Sequence, residues 1–248
     1  LLAQWFLNHK QEVLRLTLPD YDMSLKRNGR LVAEALRERA RRHQRSLVWV
    51  ALTCTPWCAW QNYNLKNCDR MTVEKIKKAR VKSEEMINIL YDLVRNVLDD
   101  TDVEPYVHFA FEWPRWCRGW NLEVVNKLRS YFTYTAEFDG CRFGLQDTHG
   151  DLLRKPWRVV TTLKSLAEAL DGRCTGRHDH GVTCGVAAKA SAYYTPAMVE
   201  TIARAVMAAD WPMARVSALA GAEPLLAETS EVKEPVVTPK ADSGHERQ

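Results

Sequence analysis

The sequence predicts an open α/β sheet, in a chain of 248 residues that is long enough for one large α/β domain or two small ones. Two continuous apolar runs, 46–52 and 105–111, are typical of strands that are buried on both faces. Helical periodicity predicts a long helix at 72–98 between them and a shorter helix at 121–131 after them. This alternation of strand and helix favours an open α/β sheet.

A further helix, predicted at 28–45, precedes the first apolar run and carries six arginines. We interpret these arginines as a solvated helix face; the alternative is a face that contacts phosphate groups. They are Arg30, Arg37, Arg39, Arg41, Arg42 and Arg45.

The second half of the chain is less regular. Short strands are predicted at 141–144 and 157–162, around a turn that contains glycine, and a short helix is predicted at 163–170. A Gly-rich loop follows at 172–185. A last helix is predicted at 195–209, where a Thr-Pro pair supplies the cap and the first helical position.

Composition divides the chain into three parts. Residues 1–135 are predicted to form part of the α/β core, and residues 136–220 its remainder, with a small Cys- and His-containing loop and a terminal helix. Pro, Glu, Ser and Thr dominate residues 221–248, which predicts a disordered tail. The tail has six acidic and three basic residues, so in a chain of net charge +4 the remaining residues carry +7. A basic body suits a polyanionic partner.

Composition also excludes some classes of protein. No apolar run reaches the roughly 18 residues that a membrane span needs, so we predict no membrane partner. The chain has seven cysteines, whose spacing matches no known disulfide scaffold, and we find no signal peptide. We therefore expect reduced thiols and an intracellular protein, nuclear if eukaryotic, rather than a secreted one. The chain begins at Leu1 without a start Met, and we expect it to be a fragment of a longer protein.

Tryptophan is unusually frequent, and six of the nine lie in two short stretches. Burial in a core is the commoner role of clustered aromatic side chains, and stacking on nucleic-acid bases is the alternative. The stretches contain Trp49, Trp57 and Trp60, and then Trp113, Trp116 and Trp120.

Two candidate catalytic residues follow the two apolar runs. Cys54 lies after the first, where backbone donors can favour a thiolate nucleophile, and Glu112 lies after the second. A carboxyl between Phe111 and Trp113 is partly desolvated, which favours its protonated form and makes it a possible proton donor. Because ligands of open α/β sheets bind beyond the carboxyl ends of the strands, we expect both loops to face one crevice.

Both residues also have a structural interpretation. A lone cysteine is usually a small buried apolar residue, and Glu112 could pair with Arg115 or Arg118. A cysteine hydrolase is disfavoured, because His108, the only histidine near these loops, lies inside a predicted strand.

The two loops resemble the catalytic loops of cytosine-5 DNA methyltransferases. Residues 47–62 read Leu-Val-Trp-Val-Ala-Leu-Thr-Cys-Thr-Pro-Trp-Cys-Ala-Trp-Gln-Asn, and residues 109–114 read Phe-Ala-Phe-Glu-Trp-Pro. Residues 141–162 are similar to a third segment of phage-type and mobile-element-encoded relatives, and the nearer resemblance is to methyltransferase-like regions of retroelement polyproteins. The resemblance covers about residues 45–205.

This resemblance implies an open Rossmann-like methyltransferase sheet, incomplete at the N-terminus, that uses S-adenosylmethionine and acts on DNA, with RNA as the alternative. Cys54 would attack C6 of cytosine, Glu112 would donate a proton to N3, and Arg158 would contact O2. The cytosine must be flipped into a snug aromatic pocket. The walls of that pocket would be Trp57, Trp60 and Trp113.

The chain departs from the family pattern in three places. Leu and Thr precede Cys54 where the family has proline, and Trp113 stands where the family has asparagine. Residues 1–45 contain one glycine, Gly29, and no Gly-rich turn for the cofactor, so no cofactor-binding residue is assigned. Either the first strand lies outside this chain or the chain is a degenerate, inactive descendant.

A third candidate site is the pattern Cys174-x3-His178-x-His180-x3-Cys184 in the Gly-rich loop. Two thiols and two imidazoles are the ligand types of tetrahedral zinc. Such a zinc ion would be structural, because four protein ligands leave no open position, and the alternative is a polar surface loop. Cys141 or His149 could replace one ligand.

Three functions therefore remain open after sequence analysis. The first is a methyltransferase-like enzyme, and the second is a non-catalytic nucleic-acid-binding module of a mobile-element polyprotein. The third is a structural domain that is held together by zinc.

Overall fold

The computed structural model describes residues 1–14, 16, 22–183, 188 and 191–211. All of these residues belong to one compact unit. The predicted tail at 221–248 lies outside the described residues. Among those residues, no helix is both long and apolar enough to cross a membrane.

Four strands form one mixed sheet in the order β1-β2-β4-β3. Strands β1 and β2 are parallel, whereas β4 is antiparallel to both β2 and β3. The strands are β1 (Ser46–Val50), β2 (Val107–Pro114), β3 (Tyr134–Asp139) and β4 (Pro156–Thr161). The α/β class is confirmed, and both apolar runs form strands. The strand predicted at 141–144 is wrong, because Gly140–Phe143 is a 3-10 turn that follows β3.

Seven α-helices lie within the described part of the chain. They are α1 (Leu2–Asn8), α2 (Lys26–Arg41), α3 (Ala59–Asn67), α4 (Arg70–Leu98), α5 (Glu123–Arg129), α6 (Lys164–Leu170) and α7 (Pro196–Met207). The carboxylate of Asp69 caps α4 by accepting a hydrogen bond from the Thr72 N–H, and Thr195 caps α7 in the same way. Helix α7 thus begins at the Thr-Pro pair, as predicted.

The sheet separates two apolar clusters. Side chains alternate along β2, so Phe109, Phe111 and Trp113 belong to one cluster and Ala110 to the other. The first cluster, which we call the α4 face, also contains apolar side chains of α2, α4 and α5. The second, which we call the α7 face, contains side chains of α6 and α7. The side of the sheet that a strand residue occupies therefore follows from its place in this alternation.

Candidate metal centre and the predicted catalytic residues

The two predicted catalytic residues lie at the carboxyl ends of neighbouring parallel strands, and their side chains pack against different apolar clusters. Glu112 alternates with Phe111 and is paired with Val159 of β4, so its side chain lies on the α7 face. Cys54 follows β1 and packs against the apolar cluster of the α4 face. The two side chains thus pack against different clusters, but Glu112 and Lys155 both act on the pKa of the Cys54 thiol, so the thiol and the carboxyl are close enough to interact.

Glu112 is partly buried beside a lysine. Burial raises the pKa of the Glu112 carboxyl to about 7, and the positive charge of Lys155 opposes this shift. Lys155 is itself fixed, because its Nζ donates to the carbonyl of Ser191 at 2.6 Å and lies 4.8 Å from the centre of the Trp157 ring. Burial lowers the pKa of Lys155. Glu112 is thus a carboxyl that changes its protonation near neutral pH.

The surroundings of Cys54 favour the thiol over the thiolate. Burial is the largest cause and raises the pKa of Cys54; Lys155 lowers it, and the carboxylate of Glu112 raises it further. Nucleophilic attack requires the thiolate, so this environment works against the predicted role.

The three tryptophans of the predicted base pocket do not share one cavity. Trp57 is buried and donates from Nε1 to Oγ of Ser83 in α4 at 2.9 Å. Trp113 is fully buried in the same cluster and donates to the carbonyl of Leu52 at 2.7 Å. Trp60 is 72% exposed on α3. Two of the three indoles are therefore core residues.

Arg158, the predicted contact to the cytosine O2, is held by an acidic neighbour. Its Nε and Nη2 donate to Oε1 of Glu137 on β3 at 2.9 and 2.6 Å. Its guanidinium carbon also lies 5.4 Å from the centre of the Trp120 ring. The side chain thus already has polar and aromatic partners within the fold.

A cluster of two thiols and two imidazoles forms where the turn after β3 meets the loop after α6. The ligand atoms of Cys141, Cys174, His178 and His180 all lie within 4.8 Å of one another. Sγ of Cys174 is 3.5 Å from Nε2 of both histidines, and Sγ of Cys141 is 3.4 Å from Nε2 of His180. We call these four residues the metal cluster, since they could hold one metal ion.

Backbone groups support the metal cluster. The N–H of Cys174 donates to Oδ2 of Asp139, the fully buried last residue of β3, at 2.9 Å. The N–H of Gly176 donates to Sγ of Cys174 at 3.3 Å. Gly176 has a φ of +74°, a left-handed conformation that favours glycine. The loop therefore wraps around the Cys174 sulfur.

The structure brings together three of the four residues in the predicted zinc pattern: Cys174, His178 and His180. Cys184 lies outside the described residues. Cys141, which sequence analysis named as a replacement ligand, is the fourth member, and His149 is not part of the cluster. The spacing alone could not select Cys141, because the strand that positions it was not predicted.

Sequence analysis missed a group of arginines beside the metal cluster. Two carboxylates, those of Glu137 and Asp139, are surrounded by Arg115, Arg154, Arg158 and Arg173, which we call the arginine cluster. Arg154 approaches Asp139 to 3.6 Å, and Arg173 pairs with Glu137. Four positive and two negative groups leave a local surplus of positive charge.

Comparisons with protein-family models, with curated proteins and with solved structures found no match to this chain. Its function is therefore inferred from its own residues.

Proposed function

We propose that this chain is a zinc-stabilised α/β domain, with one structural zinc ion bound by the metal cluster. The observation that carries the proposal is the set of sulfur–nitrogen distances of 3.4–3.5 Å. Zinc in a tetrahedral site binds sulfur at about 2.3 Å and nitrogen at about 2.0–2.1 Å, which places these ligands of one ion about 3.5 Å apart.

The donor types favour zinc over other common ions. Magnesium and calcium prefer oxygen ligands, whereas thiolate and imidazole together are typical of zinc. Four protein ligands fill a tetrahedral site, so the ion would stabilise the fold rather than activate a water molecule.

The zinc ion would join two segments that are distant in sequence. Cys141 lies in the 3-10 turn after β3, and the other three ligands lie in the loop after α6. Within residues 172–183, this loop contains no helix or regular strand, so its order depends on side-chain and backbone contacts. Zinc would supply the strongest of these contacts.

Metal analysis of the purified chain tests the proposal directly. We expect about one zinc ion per chain by atomic emission spectroscopy, and a lower thermal midpoint after treatment with a chelator. The variant Cys174→Ser should lose zinc, whereas Cys58→Ser, a matched change of a half-buried thiol outside the cluster, should retain it. Purified protein that contains no zinc, and whose thermal midpoint changes with neither chelator nor added zinc, would contradict the proposal.

We propose nucleic-acid binding as a second function, favoured by the arginine cluster. Guanidinium groups bind phosphates well, and the surplus charge of this cluster is a local part of the net charge of +7 that residues 1–220 carry. The test is a titration of the chain with DNA and RNA at several salt concentrations. Affinity should fall steeply as salt rises, and absent or salt-independent binding would contradict this function.

Methyl transfer to cytosine is the less supported proposal. The raised pKa of Glu112 suits a proton donor to N3, but burial raises the pKa of Cys54 and favours the neutral thiol over the thiolate that would attack C6. The test is transfer of a labelled methyl group from S-adenosylmethionine to DNA, with Cys54→Ala as the control. Equal transfer by both proteins would remove Cys54 as the nucleophile.

A further inference from the structure

An exposed indole lies directly over a buried arginine at the edge of the arginine cluster. Trp116 is 69% exposed, although burial of an indole is strongly favourable. The guanidinium carbon of Arg115 lies 4.7 Å from the centre of the Trp116 ring, and Arg115 itself is buried. One face of the indole is thus backed by a cation, and much of its surface is open to solvent.

The positive charge behind this indole is not fully neutralised. Arg115 approaches the carboxylates of Asp139 and Glu137 only to 3.9 and 4.0 Å, distances longer than a hydrogen bond. Its Nε and Nη1 are buried and have no hydrogen-bond partner among the described residues. The same two carboxylates also form ion pairs with Arg154, Arg158 and Arg173, so each carboxylate is shared by more than one arginine.

Two members of the arginine cluster can reach a ligand from solvent. The side chains of Arg154 and Arg173 are 55% and 53% exposed. Both contact the carboxylates that Arg115 approaches, and Arg115 contacts Trp116, so the two guanidinium groups and the indole are linked through one set of ion pairs. Charged donors and an open aromatic ring are the two components of a site for a nucleotide unit.

We infer that Trp116, Arg154 and Arg173 bind a single-stranded nucleic acid, with one base stacked on the exposed indole and backbone phosphate bound by the two arginines. The inference rests on the proposed nucleic-acid binding and names its site and its substrate class. A single strand fits better than a duplex, because only an unpaired base can leave its neighbours and offer its face to an aromatic side chain.

Fluorescence anisotropy of the full chain with labelled oligothymidylate tests the inference, with a duplex of the same length as competitor. We expect the single strand to bind more tightly than the duplex. Trp116→Ala should weaken single-strand binding roughly 10-fold, the usual range for loss of one stacked base. Trp116→Phe, which retains an aromatic ring, should recover most of the affinity.

The matched control is Tyr193→Ala, which removes an aromatic side chain that is 74% exposed and remote in sequence from Trp116. We expect it to change the affinity less than about 2-fold. The double variant Arg154→Ala with Arg173→Ala should reduce the slope of log affinity against log salt by roughly 1.4, since each phosphate contact on a single strand contributes about 0.7. Circular dichroism spectra should confirm that all variants are folded.

The outcomes separate this inference from the function on which it rests. If the chain binds the single strand but Trp116→Ala binds as tightly as Tyr193→Ala, or if the duplex binds more tightly, the inference is overturned while nucleic-acid binding stands. If the unmodified chain binds neither, the proposed nucleic-acid function and the inference both fail.

Discussion

The metal cluster and the Cys54–Glu112 region differ in how the fold aims their side chains. All four residues of the metal cluster lie in a turn or a loop, where the backbone can turn each side chain toward a common point. Glu112 lies inside a regular strand, where alternation fixes its direction, and this direction is away from the cluster against which Cys54 packs. Two residues at neighbouring strand ends can therefore pack against different apolar clusters even though their side chains interact.

The two regions also differ in polar support. Backbone N–H groups of Cys174 and Gly176 donate hydrogen bonds at the metal cluster, one to Asp139 and one to sulfur. Around Glu112 and Cys54, burial is the largest influence on both pKa values and disfavours the charged forms. Backbone donors thus contact the metal cluster, whereas burial alone dominates the Glu112 and Cys54 region.

The largest effect is expected from loss of a cluster ligand. Cys174→Ser should abolish zinc binding and lower the free energy of unfolding by about 5 kcal/mol, which corresponds to a fall in thermal midpoint of roughly 10–20 °C. Differential scanning calorimetry of the zinc-loaded protein measures this change. The thermal midpoint of Cys58→Ser should lie within a few degrees of that of the unmodified chain. An equal fall in midpoint in the two variants would argue against a metal centre.

A comparable but smaller loss is expected from Trp113→Ala in the apolar cluster of the α4 face. The indole is fully buried against Phe111 and Trp120, so its removal leaves a cavity that costs roughly 3–5 kcal/mol. Urea unfolding measures the change, and zinc content should remain the same. An unchanged midpoint would show that Trp113 does not belong to the core.

A pH-dependent effect is expected at Glu112. Its pKa is about 7 in the fold against an ordinary value of 4.5, so the folded chain holds this proton more tightly than the unfolded chain does. The stability that the protonated carboxyl contributes is complete below pH 4.5 and is lost as pH rises through about 7. The slope in this window is at most about 1.4 kcal/mol per pH unit.

Urea unfolding between pH 4.5 and 7.5 tests this expectation by comparing the unmodified chain with Glu112→Gln, which should lack the slope. Glu123→Gln is the control, because Lys127 lowers the pKa of that exposed carboxyl and its small contribution has the opposite sign. Parallel pH profiles for the unmodified chain and Glu112→Gln would mean that the carboxyl is solvated.

The smallest effect is expected from Cys54. Because its thiol is half-buried and its pKa is raised, iodoacetamide at neutral pH should alkylate the exposed Cys68 well before Cys54. Peptide mass spectrometry follows the order of modification. Preferential alkylation of Cys54 would reveal an activated thiol and would strengthen the methyltransferase proposal.

The parts of the fold that sequence analysis predicted are those with a strong local pattern. Helix α4 has Ile87, Leu90 and Val94 at helical spacing, and all three are buried. Strand β3 was missed, because Glu137 and Asp139 interrupt its apolar pattern and it is stabilised by antiparallel pairing with β4. Such pairing depends on distant residues, which a local pattern does not reveal.

The candidate site was predictable to a similar degree. Cys174, His178 and His180 lie close together in sequence, so their ligand types and spacing were sufficient to group them. The arginine cluster was not predictable, because Arg115, Arg154 and Arg173 come from three separate segments that only the sheet brings together.

A metal ion in the cluster would also act on the unfolded chain. By linking Cys141 to Cys174, it would close a ring of chain that contains β4 and α6. A ring of this length removes conformational entropy worth about 4 kcal/mol from the unfolded ensemble in the chain-entropy treatment of cross-links. The ion would thus cross-link the chain as a disulfide bond does. Reduced thiols without the ion form no such cross-link.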